Sequence, residues 1–143
     1  MSKTPAPGYS GKPLLQKLGF KSPLTLVAIG APAEYASWLG EVPSGMRIVS
    51  RQPKDIEAAH VFVTKRESLK RELMTLRKGL QQDGFVWVSW PKKSSKVPTD
   101  ITEDTIREVA LPLGFVDIKV CAIDEIWSGL KLMIRKENRK SNK

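Results

Sequence analysis

The chain has 143 residues, a formal charge of +9, one cysteine and one histidine. That length supports a single core without disulfides or metal, and the cysteine and histidine counts allow neither an internal disulfide nor a cluster of metal ligands. No apolar run approaches the roughly 20 residues of a membrane span, and the opening Met-Ser-Lys-Thr-Pro-Ala-Pro-Gly lacks a signal-peptide core, so a cytoplasmic protein with no membrane partner is expected.

The charge sits at the ends. Residues 1–21 carry four lysines and no acid, residues 135–143 carry five bases against Glu137, and the body between them is close to neutral. A solvated basic end is the commoner meaning of this pattern. Weak nucleic-acid contact through the ends is the alternative. Residues 1–8, with two prolines and a glycine, read as a flexible leader, 9–135 as one domain and 136–143 as a basic flexible tail.

Taken in order, Pro13 suits the first turn of a short helix, with Leu14, Leu15 and Leu18 on one face and Gly19 ending it. This helix reads as a hydrophobic lid across a sheet. Tyr9, Ser10 and Gly11 before it form a turn or reach a ligand. Leu24 to Ala31 has the near-continuous apolar character of a strand buried on both faces. Pro32 then opens a helix carrying Tyr35, Trp38 and Leu39, and Met46 to Ser50 forms a second strand. Residues 52–55 lead through a weak helical turn to a third strand, His60 to Thr64. Thr64 and Glu67 have capping-box spacing, and Leu69, Leu73, Leu76 and Leu80 make one apolar stripe. Basic residues from Arg66 to Lys78 occupy the outer face of that helix.

Asp83-Gly84 reads as a turn into the strand Phe85 to Trp90, which runs into the basic, hydroxyl-rich loop Pro91 to Thr99. Asp100 or Thr102 caps the next helix, with Glu103 and Asp104 at its positive end and Ile106, Val109, Ala110 and Leu113 on its buried face. Gly114 terminates it. Phe115 to Ile123 and Leu130 to Ile134 complete a hairpin whose turn is placed at Ile126-Trp127-Ser128-Gly129.

Strands alternating with helices imply an α/β fold, a single-domain mostly parallel sheet with right-handed crossovers and a C-terminal antiparallel β-hairpin. From its Gly-headed strand, helix and closing hairpin, this order resembles a shortened methyltransferase-type Rossmann fold. Three stretches also resemble a bacterial, largely actinobacterial, domain family of uncharacterised function: Tyr9-Ser-Gly-Lys-Pro-Leu-Leu-Gln-Lys-Leu-Gly19, Trp87-Val-Ser-Trp-Pro-Lys-Lys93 with Val97 to Glu103, and Val116 to Lys131 with its Trp127-Ser-Gly-Leu-Lys signature. That resemblance implies a small cytoplasmic protein and carries no activity, cofactor or catalytic residue.

In such a fold, ligands bind outside the carboxyl ends of the parallel strands. The candidate ligand site gathers Trp90, Lys92, Lys93, Asp124, Glu125, Trp127 and Ser128 there. Either indole would stack on a flat ligand, and Lys92, Lys93 or Lys96 would meet an anion, with hydroxyls from Ser94, Ser95 and Thr99. The same residues also make sense as a structural latch, with Lys92 or Lys93 paired to Asp124 or Glu125.

The first strand–helix turn, Ala28-Ile-Gly-Ala-Pro-Ala-Glu34, holds one glycine and a proline where a methyltransferase resembling the fold carries several glycines and an acid. Ser50 and Arg51 stand where an acid would hold the ribose. Both departures argue against S-adenosylmethionine, and no cofactor is expected. Dinucleotide and P-loop fingerprints are missing as well. His60 opens an apolar strand and reads as a structural histidine, Cys121 as an inert packing residue, and no catalytic set emerges. A noncatalytic small-ligand-binding or regulatory module on a degenerate methyltransferase-like scaffold is the leading expectation. The alternatives are an enzyme acting on a small anionic or nucleotide-like substrate, or a nucleic-acid-associated protein using its basic ends and the helix from Arg66.

Overall fold

The computed structural model describes residues 14–138. The leader, the Tyr9-Ser10-Gly11 contact and the tail beyond Asn138 lie outside the described residues. The elements run α1 (Leu14–Leu18), β1 (Leu24–Ile29), α2 (Tyr35–Leu39), β2 (Met46–Val49), β3 (Ile56–Phe62), α3 (Arg66–Gly79), β4 (Leu80–Pro91), α4 (Glu103–Ala110), β5 (Phe115–Ala122) and β6 (Trp127–Ile134). They build one six-stranded sheet in the order β2-β1-β3-β4-β6-β5. β2, β1, β3 and β4 are parallel, while β6 runs antiparallel to both β4 and β5.

Each face of the sheet has its own core, which explains why the inner strands are apolar at consecutive positions rather than alternately. On one face Leu26, Ala58 and Trp87 pack with Leu14 and Leu18 of α1 and Tyr35 and Leu39 of α2. On the other, Val27, Val61, Val88 and Leu130 pack under Leu69, Leu73 and Leu76 of α3 and Ile106 and Val109 of α4. α1 is the expected lid. The Trp87 indole N–H donates to the Leu18 carbonyl at 2.8 Å, so the helix end and the buried ring satisfy each other. α4 is capped as read, with Thr102 Oγ1 accepting from the Thr105 amide. It is stapled to β5 by Arg107, which meets Asp117 at 3.0 Å as well as Glu103 and Asp104.

Five local expectations are corrected. No helix lies between β2 and β3. Residues 50–55 cross directly, and the Gln52 side-chain amide ties the connector by donating to the carbonyls of Lys54 and Asp55. β3 starts at Ile56, ahead of His60, because pairing with β1 extends the ladder over Ala58 and Ala59, residues of poor intrinsic strand preference. The Thr64–Glu67 box does not form. The α3 N-cap is Lys65, and the Arg66 amide is satisfied by the Asp100 carboxylate at 2.7 Å, from 34 residues away. Leu80 leaves the helix to begin β4, and Asp83-Gly84 is a bulge rather than a turn, since Leu80 pairs with Ile56 and Phe85 with Ala58. Gly84 is required there because a Cβ would stand 2.9 Å from the Ile56 carbonyl oxygen. Finally, Trp127, Ser128 and Gly129 belong to β6, and the hairpin turn precedes them.

Candidate functional site

β1, β3 and β4 all deliver their carboxyl ends to one edge of the sheet, and β6 starts there because it is antiparallel to β4. The loop after β4 and the hairpin turn therefore meet. Lys92 N–H donates to the Ile126 carbonyl at 2.7 Å, and Lys92 Nζ donates to the Asp124 main-chain oxygen at 2.7 Å. The Asp124 carboxylate faces inward to its own turn, accepting from the amides of Ile126 and Trp127 at 2.9 and 2.7 Å. A latch exists, then, but it is lysine to carbonyl. Among the described residues neither Asp124 nor Glu125 has a side-chain ion pair with a lysine.

The seven candidate residues divide. A concavity of about 420 Å³ is lined by Trp90, Lys92, Lys93 and Ser128 together with Thr99, Thr102 and Glu103. Glu125 is exposed on the turn, and Asp124 and Trp127 lie apart from this lining. The two indoles cannot form a pincer. Trp90 pairs with Ser128 and the adjacent Pro91 with Trp127, so Trp90 and Trp127 project to opposite faces of the sheet. Trp90 is only 7% exposed and belongs to the core beneath α3 and α4. Trp127 stands edge-on to Phe62 on the other face, with ring centroids 5.1 Å apart.

The loop hydroxyls are largely committed to the loop itself. Ser95 Oγ donates to the Lys92 carbonyl at 2.7 Å, and Thr99 Oγ1 donates to the Thr64 carbonyl at 2.7 Å while accepting from the Ile101 amide. These bonds hold residues 92–101 against the start of α3. Of the charged residues lining the concavity, Lys92 is bonded to the Asp124 carbonyl and Glu103 to Arg107, which leaves Lys93.

A second feature at this edge lies where β2 runs to one side of β1 and β3 to the other, the switch point at which open α/β sheets form their ligand crevice. Here that point carries aromatic rings. Phe62, the last residue of β3, has Tyr35 at 5.3 Å, Trp38 at 6.3 Å and Trp127 at 5.1 Å between centroids. Gly30, at φ +70°, turns the chain so closely over β3 that a Cβ would come within 2.8 Å of the Phe62 carbonyl oxygen.

Beneath these rings runs a buried hydrogen-bond chain that the sequence reading missed as a unit. Tyr35 Oη lies 2.8 Å from His60 Nδ1, and His60 Nε2 lies 2.7 Å from Ser89 Oγ. His60 and Ser89 are fully buried. Burial pulls the His60 pKa down to about 3 and pushes the Tyr35 phenol up. The histidine is thus a neutral structural group, as read. The available signal was a polar residue, His60 and Ser89, within the apolar run of each of two neighbouring strands, because buried polar groups need partners. Cys121 is half-buried with its thiol pKa raised by burial, in keeping with a packing role. Among the described residues no group of three or more His, Cys, Asp or Glu is placed to hold a metal, and no helix is long and apolar enough to cross a membrane.

By sequence, no family model and no curated protein matches this chain. By structure it is similar to methyltransferases. A putative type 11 methyltransferase from Sulfolobus solfataricus superposes with a TM-score of 0.65 at 12% identity, over 90% of this chain and 94% of that one. A SAM-dependent methyltransferase from Aquifex aeolicus gives 0.63 at 14% identity, over 85% and 88%. A ribosomal protein L11 methylase from Lactobacillus delbrueckii subsp. bulgaricus gives 0.54 at 13%, over 85% and 76%. The fold is a methyltransferase-like Rossmann fold, mostly parallel with a closing antiparallel hairpin. At these identities the likeness concerns the scaffold and leaves the chemistry open.

Proposed function

We propose that this is a cytoplasmic, noncatalytic binding or regulatory module, a methyltransferase-like scaffold that no longer holds S-adenosylmethionine. The observation that carries this reading is the aromatic cluster at the switch point, where Tyr35 and Phe62 are buried and Gly30 lies directly on the Phe62 carbonyl. The rings stand at the switch point, the region in which an open α/β sheet forms its ligand crevice. Ser50 and Arg51 after β2 offer no carboxylate to a ribose. An enzymatic reading meets the further difficulty that His60 and Ser89 are sealed from solvent and His60 is held neutral.

A small anionic ligand is assigned to the concavity beside β4. Lys93 supplies the charge, Ser128 and Thr102 supply hydroxyls, and the edge of Trp90 forms the apolar wall. Lys92 positions the turn, and Asp124 serves that turn rather than the ligand. The test is a thermal-shift screen against S-adenosylmethionine, nucleotides and small phosphorylated metabolites. A ligand at about 100 times its dissociation constant adds roughly 2.7 kcal/mol, an easily read shift. The expected result is a shift with an anionic compound that disappears in Lys93→Ala and no shift with S-adenosylmethionine. A shift with S-adenosylmethionine would overturn the reading of the switch point, and a screen silent to every anion would overturn the assignment of the concavity.

A further inference from the structure

The layer of helices on the α3 side of the sheet is incomplete. α3 and α4 cover β3, β4 and β6 and bury Val27 of β1, but β2 passes to β3 through residues 50–55 without a helix, so among the described residues no helix of that layer lies over the end of β1 and over β2. The result is a trough. Its floor is Val27 and Ile29 of β1 with Ile56 and Leu76, one wall is α3 from Arg71 to Lys78, and the other is Ser50 to Pro53, enclosing about 520 Å³. A shallower depression of about 420 Å³ continues along α3 past Met74 toward Arg66 and shares Arg71, Thr75 and Lys78 with the first. Val49 adds a half-buried apolar side chain to the same face, and Met74 is 44% exposed.

The rim of this trough is cationic. Arg51, Arg66, Lys70, Arg71 and Lys78 border it against Glu67 and Glu72. Of the five bases only Arg66 has an ion pair among the described residues, with Glu108 at 2.9 Å. An apolar floor with unpaired positive walls is complementary to one kind of surface, an apolar stripe flanked by carboxylates. It does not complement itself, so a second copy of this chain would bring like charge against like. A phosphate backbone would meet the bases but leave the half-buried Ile29 and Val49 and the exposed Met74 uncovered.

We propose that the trough is a docking site for an amphipathic helix of a partner protein, one with an apolar stripe and acidic flanks. The partner helix takes the place of the missing layer and packs beside α3 at the usual interaxial distance of about 8–10 Å. Its acidic flanks meet Lys70, Arg71 and Lys78 at the rim, where charge raises the association rate and sets the partner's orientation. This site shares no residue with the concavity beside β4, so either assignment can fail alone.

The test uses the full chain and a set of labelled helical peptides of about 18 residues, roughly 27 Å long. Each carries leucine at helical spacing, with either glutamate or lysine on the flanks, and each has a scrambled control. Binding is followed by fluorescence anisotropy, and the contact surface by amide chemical shifts. Glutamate-flanked peptides should bind and shift amides of α3, β1 and residues 50–53, while lysine-flanked and scrambled peptides should not. The exposed double reversal Lys70→Glu/Lys78→Glu should keep the native spectrum and weaken binding at least about tenfold, with Arg71→Glu acting the same way. The proposal is overturned if no glutamate-flanked peptide binds, if lysine-flanked peptides bind equally, or if the shifts fall elsewhere. Binding of a short RNA or DNA duplex that the same reversals abolish, with the peptides silent, would assign the face to nucleic acid and also overturn it.

Discussion

Lys92 Nζ lies 2.7 Å from the main-chain oxygen of Asp124, while the Asp124 carboxylate turns away to the amides of Ile126 and Trp127. The pair that looks ionic in the sequence is two separate devices, a cap for the hairpin turn and a tether from the loop after β4. They should respond differently to substitution. Asp124→Ala leaves two amides without their acceptor and is expected to lower stability by about 1–2 kcal/mol, whereas Asp124→Asn keeps an acceptor oxygen and should cost less than about 1 kcal/mol. Lys92→Met retains the aliphatic stem and should lose only the bond to the carbonyl, about 0.5–1.5 kcal/mol. Urea denaturation of the three variants checks the order. An equal loss in Lys92→Met and Asp124→Ala with no loss left over in the double variant would indicate a direct ion pair instead.

The start of α3 makes a sharper contrast between what the sequence suggests and what the fold uses. A local capping box would place Glu67 among the stabilising residues, but the Arg66 amide is bonded to Asp100. Asp100→Ala is therefore expected to destabilise by about 1 kcal/mol, and Glu67→Ala by less than about 0.5 kcal/mol. Because Asp100 also sits in the loop that borders the concavity, Asp100→Ala should accelerate amide exchange at Arg66 and across residues 96–102. Faster exchange confined to Glu67→Ala would restore the local box.

These cases mark where sequence was informative. The sheet, both cores and the meeting of the 92–96 loop with the hairpin turn were legible, because apolar periodicity and connection rules act over short windows and a parallel α/β order leaves few topologies. Side-chain direction was not. Trp90 and Trp127 land on opposite faces because the ladder pairs Trp90 with Ser128, which leaves Trp127 one residue out of step, and the register decides which residues share a face. The Tyr35–His60–Ser89 chain was not legible as a unit for another reason: its members come from α2, β3 and β4, and only the packing of α2 on the paired strands β3 and β4 brings them within 3 Å. The absent helix between β2 and β3 was over-read from a connector too short to hold one.

Gly30 supplies the prediction closest to the proposed function. At φ +70° an L side chain is strained, and a Cβ would meet the Phe62 carbonyl oxygen at 2.8 Å. Gly30→Ala should destabilise by roughly 2–3 kcal/mol, more than the conformational penalty of about 1–2 kcal/mol alone. Trp127→Ala, which exposes Phe62 to solvent, should red-shift neither Trp38 nor Trp87 strongly but should raise the accessibility of the switch point to small quenchers. If the rings are what bars S-adenosylmethionine, Trp127→Ala alone should still show no binding, because the acid after β2 is missing too. Binding restored by that one change would mean the scaffold kept its cofactor contacts.

The buried histidine predicts the pH response. Its pKa in the folded protein, about 3, lies below the ordinary 6.5, so between those values the unfolded chain binds a proton that the native protein does not. Stability from this source is fully present above about pH 6.5 and falls as the pH drops toward 3, with a slope of up to about 1.4 kcal/mol per pH unit. The Asp117 carboxylate, held low chiefly by its bond from Arg107, acts in the same sense but only below the ordinary carboxylate range. The window from about pH 6.5 to 4.5 therefore isolates the histidine. His60→Leu should be less stable than wild type at neutral pH, since the Tyr35 and Ser89 hydroxyls lose a partner, by about 1–3 kcal/mol. That gap should narrow steadily as the pH is lowered, because only the wild type has a histidine to protonate on unfolding. Parallel stability curves for the two proteins across this window would show that His60 is accessible to protons in the native state, and the sealed polar chain would have to be abandoned.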